Sequence, residues 1–132
     1  MQRIQVIVSG CNGRMGQVVT RLCAERADTQ VCAGFDLNCI QKNDYPVFTD
    51  PMSFDGHADV IVDFSNAAFL DPLLDFALAR GIPAVICTTG HSPEQLQRLR
   101  SAQAVSCVVG RSRACQAAVR RLVDWTRFRS RS

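Results

Sequence analysis

The segment from Gly10 to Gly16 constrains the fold of this chain more than any other part of the sequence. It reads GCNGRMG, so that a glycine stands at every third position. The β-branched run Ile4 to Ser9 precedes it and is typical of a strand buried on both faces. Apolar residues then recur at helical spacing, at Met15, Val18, Val19 and Leu22. The pattern predicts a strand and a helix joined by a tight glycine-rich turn.

A turn of this kind suits the phosphates of a dinucleotide for a physical reason. Glycine lets the backbone approach a ligand closely, and the N-terminus of the helix offers unpaired amide groups and partial positive charge. A second short apolar strand, Val31 to Phe35, ends at Asp36. This carboxylate follows Gly16 by about 20 residues, the spacing at which it can accept hydrogen bonds from a ribose. The alternative is a glycine turn that only makes room for the helix to pack on the strand.

Strands and helices alternate through the first hundred residues. Further strands are predicted at Val60 to Val62, Ala84 to Ile86 and Val105 to Val109. The stretch from Leu37 to Gly56 is rich in turn residues, which indicates a connection with at most one short strand, Val47 to Thr49. The alternation predicts an α/β fold in which a parallel sheet carries helices on both faces.

One of the remaining helices has a clear end and an open start. It ends at Arg80, because Gly81 stands where helices favour glycine. At the start, Asn66 could cap the helix and leave Pro72 as a kink in its second turn. Alternatively, Asp71 could cap the helix with Pro72 as its first residue.

The last helix is predicted from the residues at its N-terminus. Ser92 and Gln95 have the spacing of a capping box, and Pro93 occupies the first helical position. A helix is therefore predicted from Pro93 to about Ala102.

Polar residues follow two of the predicted strands, at the edge where ligands bind in open α/β sheets. Residues 63–65 (Asp-Phe-Ser) come after one strand and residues 88–90 (Thr-Thr-Gly) after another. Ordinary roles are equally open, since Ser65 could cap a helix and the threonines could mark a polar strand exit. Arg14 would stand near bound phosphates or would be solvated surface.

Composition excludes several classes of protein. The chain has 132 residues, of which 47% are hydrophobic and 20% charged, as in a soluble globular domain. Neither a membrane span nor a signal peptide is recognisable, so a cytoplasmic location is expected. The seven cysteines are odd in number, scattered and without a CxxC pair, which argues against a disulfide scaffold and a zinc site. His57 and His91 lie beside turn residues and are expected at the surface, so no catalytic residue and no metal ligand is assigned.

The charge of the chain changes sign near Ser101. Residues 1–100 carry eight Lys and Arg against eleven Asp and Glu, whereas residues 101–132 carry seven Arg and one acidic residue, Asp124. The arginines of this segment could contact the phosphates of a nucleic acid. This interpretation is the less favoured one, because they do not alternate on an evident folded face.

Three motifs, in order, resemble the dihydrodipicolinate reductase (4-hydroxy-tetrahydrodipicolinate reductase) family. Residues 8–16, VSGCNGRMG, resemble the family's GxxGRMG fingerprint, in which Arg and Met before the last glycine are distinctive. Residues 59–65, DVIVDFS, resemble its DVxIDFS strand. Residues 81–96 resemble its GIPxVxGTTG segment and the helix that follows. The resemblance covers roughly residues 1–105.

The resemblance implies a Rossmann-type, doubly wound domain over residues 1–105 that binds NADH or NADPH. Enzymes of the family reduce 4-hydroxy-tetrahydrodipicolinate to tetrahydrodipicolinate in lysine and diaminopimelate biosynthesis, usually as homotetramers. By position, Gly10, Cys11, Asn12, Gly13, Arg14 and Met15 would hold the pyrophosphate, Asp36 the adenosine ribose, and Cys87, Thr88 and Thr89 the nicotinamide side. Cys87 departs from the family, which usually has glycine there, and its side chain is expected to narrow the pocket. Leu37 and Asn38, rather than an arginine, follow Asp36, which favours NADH.

The segment 106–132 departs from the family altogether. Members continue into a substrate and tetramerisation domain with a His-His-x-x-Lys motif, whereas this segment reads SCVVGRSRACQAAVRRLVDWTRFRSRS. We expect a single domain from a truncated or frameshifted reductase, with a natural terminus as the alternative. Such a chain would bind the cofactor without turnover, and the small-molecule substrate would need the full-length protein. A free-standing dinucleotide-binding or redox-sensing module is the competing interpretation.

Overall fold

The computed structural model of the chain describes residues 3–39, 42–88 and 90–102. The strands of this part are β1 (Ile4–Ser9), β2 (Thr29–Phe35), β3 (Val47–Phe48), β4 (Val60–Asp63) and β5 (Ala84–Ile86). The helices are α1 (Arg14–Glu25), α2 (Leu70–Arg80) and α3 (Pro93–Ser101), with short 3-10 turns at Pro51–Ser53 and Ala67–Phe69. The predicted strand Val105 to Val109 and the arginine-rich segment lie outside the described residues.

The strands form one sheet in the order β3-β2-β1-β4-β5, and every pairing is parallel. The predicted doubly wound parallel sheet is therefore confirmed. The chain moves outward from β1 to β3 and then crosses to the other side for β4 and β5. This change of direction opens a crevice at the carboxyl ends of β1 and β4, the position at which open α/β sheets bind ligands.

Apolar side chains cover both faces of the sheet, because successive residues of a strand point to opposite sides. On one face Val6 and Val8 belong to a buried cluster that includes Val19 and Cys23 of α1. On the other, Ile7 belongs to a larger cluster. That cluster also contains Phe35, Ile61 and Ile86 of the sheet, Leu70, Leu73, Leu74 and Phe76 of α2, and Leu99 of α3. The site at the sheet edge thus rests on a core packed from both sides.

The buried face of α1 differs from the predicted one. The buried residues are Gly16, Val19 and Cys23, whereas Leu22 is 41% exposed. Gly16 has no side chain and lies against the backbone of residues 10–13, here called the glycine loop. The helix therefore packs most closely on the end of β1 at this glycine. The buried face was predicted from apolar side chains alone, and this prediction was wrong at Leu22.

The start of α2 follows neither of the two alternatives. Asn66 precedes the 3-10 turn, and this turn leads directly into α2 at Leu70. Pro72 is thus the third residue of α2, where backbone amides have no partner within the helix, and its missing N–H costs no hydrogen bond. The predicted end is confirmed, since Gly81 terminates the helix with a left-handed φ of 66°.

The capping box of α3 is confirmed. Oγ of Ser92 accepts a hydrogen bond of 3.1 Å from the amide of Gln95, and the amide of Ser92 donates one of 3.0 Å to Oε1 of Gln95. The same glutamine donates through Nε2 to the carbonyl of Ala67, at 2.6 Å. The cap thereby also ties α3 to the turn before α2. In the described part of the chain, no helix is long and apolar enough to cross a lipid bilayer.

Candidate dinucleotide site

The glycine loop is held tightly between neighbouring segments. Gly10 has a φ of 78°, a conformation that residues with a side chain rarely adopt. A Cβ on Gly10 would come within 2.8 Å of the backbone of Phe64 and Ser65, which follow β4. Only glycine therefore satisfies both the turn and this close approach.

The other two glycines of the motif have different surroundings. A Cβ on Gly16 would overlap the carbonyl oxygen of Gly10, so close packing of α1 requires glycine there. A Cβ on Gly13 would lie 3.4 Å from the same oxygen, which is an ordinary contact. The interpretation as a packing turn thus accounts for Gly10 and Gly16 and leaves Gly13 without a packing reason.

The N-terminus of α1 is open to an anion. Gly13 caps the helix without a side-chain hydrogen bond, and the first turn contains no acidic residue. Arg14 stands exposed at the first helical position, next to the half-buried Met15. The amides at this end and the positive end of the helix dipole favour negative charge.

Asp36 connects the glycine loop to the end of β2. Its Oδ2 accepts a hydrogen bond of 2.9 Å from the backbone amide of Asn12. Its Oδ1 accepts one of 2.9 Å from the amide of Asn38. The structure thus brings together the residues predicted for the pyrophosphate and the residue predicted for the ribose.

A cleft of about 350 Å³ opens beside this contact. Its walls combine the glycine loop, the end of β2 and the segment after β4, and comprise Gly10, Gly13, Phe35, Asp36, Leu37, Phe64, Ser65, Asn66, Ala68 and Phe69. Asn66, Ala68 and Phe69 were not predicted to belong to the site. The only available signal was that they follow a strand that ends at the ligand-binding edge of the sheet.

A buried carboxylate lies at the other end of the crevice. Asp63, the last residue of β4, is fully buried, and its Oδ1 accepts hydrogen bonds from the amide and the hydroxyl of Ser65, at 3.0 and 2.5 Å. Oγ1 of Thr88 lies 3.4 Å from Oδ2 and completes the contact to the segment after β5. Burial raises the pKa of Asp63, while the hydrogen bonds from Ser65 and Thr88 oppose that rise.

The two histidines differ in their surroundings. His57 is exposed, as predicted, and its Nε2 lies 3.0 Å from Oδ1 of Asp59. His91 is half-buried, so the expected surface position was wrong; its Nε2 lies 3.0 Å from Oγ1 of Thr88. His91 contacts Thr88, which lies three residues earlier in the chain. Thr88 thus links His91 to the buried Asp63.

Two of the residues predicted for the nicotinamide side, Cys87 and Thr88, directly follow β5. Cys87 is 7% exposed and belongs to the apolar cluster between the sheet and α1, together with Val8 and Val62. Core packing therefore accounts for its side chain. Thr88 is 6% exposed and faces Asp63, while Thr89 lies outside the described residues.

Cys11 is a structural member of the glycine loop. It is fully buried in the cluster on the α1 side of the sheet, beside Tyr45. Burial, together with the negative charge of Asp36, raises the pKa of the Cys11 thiol to about 11. Within the described ranges, the cysteines are free thiols and no cluster of His, Cys, Asp or Glu could hold a metal ion.

The chain is similar in sequence to known proteins. Residues 4–112 match the family described as dihydrodipicolinate reductase, N-terminus. A 4-hydroxy-tetrahydrodipicolinate reductase from Caldanaerobacter subterraneus subsp. tengcongensis is 41% identical over 75% of this chain and 39% of its own length. One from Clostridium tetani is 34% identical over 70% of this chain and 36% of its own length.

A solved structure agrees in fold. The dihydrodipicolinate reductase from Paenisporosarcina sp. TG-14, in complex with dipicolinate, superposes with a TM-score of 0.61 at 24% identity. The superposition covers 74% of this chain and 42% of that protein. The chain thus spans about two fifths of the length of the relatives it matches. The N-terminal domain of these enzymes is their NAD(P)H-binding Rossmann domain. By its sequence match over residues 4–112, the chain belongs to the dihydrodipicolinate reductase family.

Proposed function

We propose that the chain binds NADH or NADPH along the crevice at the carboxyl edge of its sheet. The pyrophosphate lies on the glycine loop, against Gly10, Cys11, Asn12, Gly13, Arg14 and Met15. The adenosine ribose lies at Asp36, and the nicotinamide end lies toward Cys87, Thr88 and Thr89. The hydrogen bond from the amide of Asn12 to Asp36 carries the proposal, since it sets the phosphate and ribose subsites side by side.

The shape and charge of the cleft suit the adenosine half of a dinucleotide. The half-buried Phe69 gives it an apolar wall for a flat base, while Asp36 supplies acceptors for ribose hydroxyls. Gly13 lines the cleft next to the N-terminus of α1, where the missing side chain leaves room for phosphate oxygens.

The other end of the crevice positions the reacting half of the cofactor. A bound nicotinamide dinucleotide supplies a hydride, and the relatives' name identifies the acceptor as 4-hydroxy-tetrahydrodipicolinate. Thr88 is held by Asp63 on one side and His91 on the other. Its hydroxyl is therefore fixed before any ligand arrives, which orients the nicotinamide end at low entropic cost.

Turnover belongs to the longer proteins of the family. The 132 residues contain no His-His-x-x-Lys sequence. We assign residues 1–105 to the cofactor domain and 106–132 to a segment without the family's later motifs, although the family match itself runs to residue 112. As a 132-residue polypeptide the chain binds cofactor without reducing substrate, while substrate binding and homotetramer formation need the remainder of a full-length reductase. Reductase activity in the purified polypeptide would contradict this assignment.

A glycine substitution separates ligand binding from packing. In Gly13→Ala the new methyl has room in the folded chain but stands where phosphate oxygens approach. Calorimetric titration should show NADH binding weakened by about tenfold or more. Gly81→Ala is the matched control, because this glycine ends α2 and nothing lies within 4 Å of its added Cβ. It should lower stability without changing affinity. Equal affinities in Gly13→Ala and the unchanged chain would refute the placement of the pyrophosphate.

A further inference from the structure

The side chain of Asn12 joins the glycine loop to the turn after β2. Asn12 is 6% exposed, and its Nδ2 donates a hydrogen bond to the carbonyl of Asn38. A carbonyl can only accept a hydrogen bond, so the contact fixes which end of the carboxamide faces Asn38. The amide nitrogen points to the turn, and Oδ1 occupies the other position.

The backbone amides of the same two residues donate hydrogen bonds to the two oxygens of the Asp36 carboxylate. The amide of Asn12 donates to Oδ2 and the amide of Asn38 donates to Oδ1, each at 2.9 Å. With the side-chain contact between Asn12 and Asn38, three hydrogen bonds close a ring, here called the Asn12–Asp36–Asn38 lock. A carboxylate held in this way cannot rotate away from the cleft without breaking a charge-assisted hydrogen bond.

The hydrogen bonds of the lock leave acceptor positions on the Asp36 carboxylate unused. The two backbone amides and Nδ2 of Asn12 all donate within the lock. Each Asp36 oxygen keeps a further lone pair, and Oδ1 of Asn12 is buried without a hydrogen-bond partner in the described part of the chain. Among the described residues, no ion pair neutralises Asp36. At the cleft, the Asp36 carboxylate therefore presents negative charge and hydrogen-bond acceptors.

We propose that Asn12 is a specificity-determining residue that makes the site select NADH over NADPH by locking Asp36 in place. The proposal rests on the dinucleotide site proposed above. The ribose of NADH offers two hydroxyl donors to the carboxylate. The 2′-phosphate of NADPH offers only acceptors and brings further negative charge, so a fixed Asp36 repels it. If Asp36 could swing aside, the phosphate would fit at lower cost.

The test compares two probes that lack the nicotinamide half, ADP-ribose and its 2′-phosphate. Calorimetric titration of the 132-residue chain should show ADP-ribose binding at least about tenfold more tightly. Asn12→Ala keeps both backbone hydrogen bonds to Asp36 but removes the contact that ties the glycine loop to the carbonyl of Asn38. The amide of Asn38 and the carboxylate that it holds can then shift together, so the ratio of the two dissociation constants should fall by about 3- to 10-fold. Leu37→Ala is the control: Leu37 lines the cleft without belonging to the lock, so both affinities should fall together and the ratio should stay.

The ratio, rather than either affinity, is decisive, since a purely structural role of Asn12 would weaken both probes equally. Equal affinities of the unchanged chain for the two probes would overturn the proposal, and so would an unchanged ratio in a folded Asn12→Ala variant. If that variant fails to fold, Asn12→Ser, with a polar side chain too short to reach Asn38, replaces it with the same expectation. A folded chain that binds neither probe would instead overturn the proposed dinucleotide site.

Discussion

Gly16 lies so close to Gly10 that a Cβ at position 16 would overlap the carbonyl oxygen of Gly10. The first turn of α1 therefore rests directly on the end of β1, backbone against backbone. The amide of Gly13 donates a hydrogen bond of 3.1 Å to the same carbonyl, which closes the loop between the two glycines. Packing of β1 and α1 thus shapes the phosphate loop before any ligand binds.

This contact predicts a strong loss of stability in Gly16→Ala. Alanine is ordinarily the better helix former by about 0.5–1 kcal/mol. Here the methyl must push α1 away from β1, and we expect the free energy of unfolding to fall by about 1–3 kcal/mol. Urea unfolding followed by circular dichroism measures the change. Gly13→Ala is the control and should unfold close to the unchanged chain; a Gly16→Ala variant as stable as that control would contradict the packing argument.

The buried carboxylate predicts a specific pH dependence of stability. Folding raises the pKa of Asp63 above its ordinary value of 3.8, because burial disfavours the charged form. The folded chain then keeps this proton to higher pH than the unfolded chain. The contribution of Asp63 is fully present below pH 3.8 and is lost as the pH rises through the raised value. Asp63→Asn should remove this fall in the free energy of unfolding, measured by urea titration between pH 3.5 and about pH 8.

Ser65→Ala gives the matched comparison for Asp63. The Ser65 hydroxyl donates to the carboxylate and stabilises its charged form, so its removal raises the pKa of Asp63 further. The fall in stability should move to higher pH. A Ser65→Ala profile shifted to lower pH, or an Asp63→Asn profile parallel to that of the unchanged chain, would show that the carboxylate is not buried as described.

The cysteines are expected to differ in reactivity. Cys39 is exposed, whereas Cys11 is buried and its pKa is raised to about 11, which leaves little thiolate at pH 8. Brief iodoacetamide treatment of the folded chain, followed by peptide mass spectrometry, should label Cys39 and spare Cys11. Both should react in urea. Labelling of the two thiols at the same rate in the folded chain would contradict the burial of Cys11.

The two residues of the α3 capping box should be unequal in their effect on stability. Ser92→Ala removes one cap hydrogen bond and should cost about 1 kcal/mol. Gln95→Ala removes the reciprocal bond and also the contact with the carbonyl of Ala67, so it should cost more. Thermal unfolding of both variants measures the order. The reverse order would show that the contact to Ala67 contributes nothing to the docking of α3.

Local patterns predicted most of the fold. Three features depend only on residues that are close in the sequence, and each was predicted from it. They are the β-branched run of β1, the glycines after it and the capping box of α3. The buried face of α1 was not predicted, because it depends on how closely the backbone of Gly16 approaches β1 rather than on which side chains are apolar. The start of α2 was also not predicted, because a 3-10 turn comes directly before Leu70 and the helix has no single capping residue at its start.

The lining of the cleft was predictable in part for the same reason. Gly10, Gly13 and Asp36 lie at positions set by the order of strands and helices, and the structure places all three on one cleft. Contacts between distant segments could not be foreseen. Asp63 and Thr88 meet only because β4 and β5 pair in parallel, and no local sequence pattern predicts the contact of His91 with Thr88.

The most direct test of the proposed site is a calorimetric titration of the 132-residue chain and its Asp36→Ala variant with NADH. We expect saturable binding by the unchanged chain. In a variant that remains folded by circular dichroism, the affinity should fall by about tenfold or more, since the ribose loses a charged acceptor. Equal binding by both chains would show that the ribose does not bind at Asp36. No binding by the folded, unchanged chain would contradict the dinucleotide site itself.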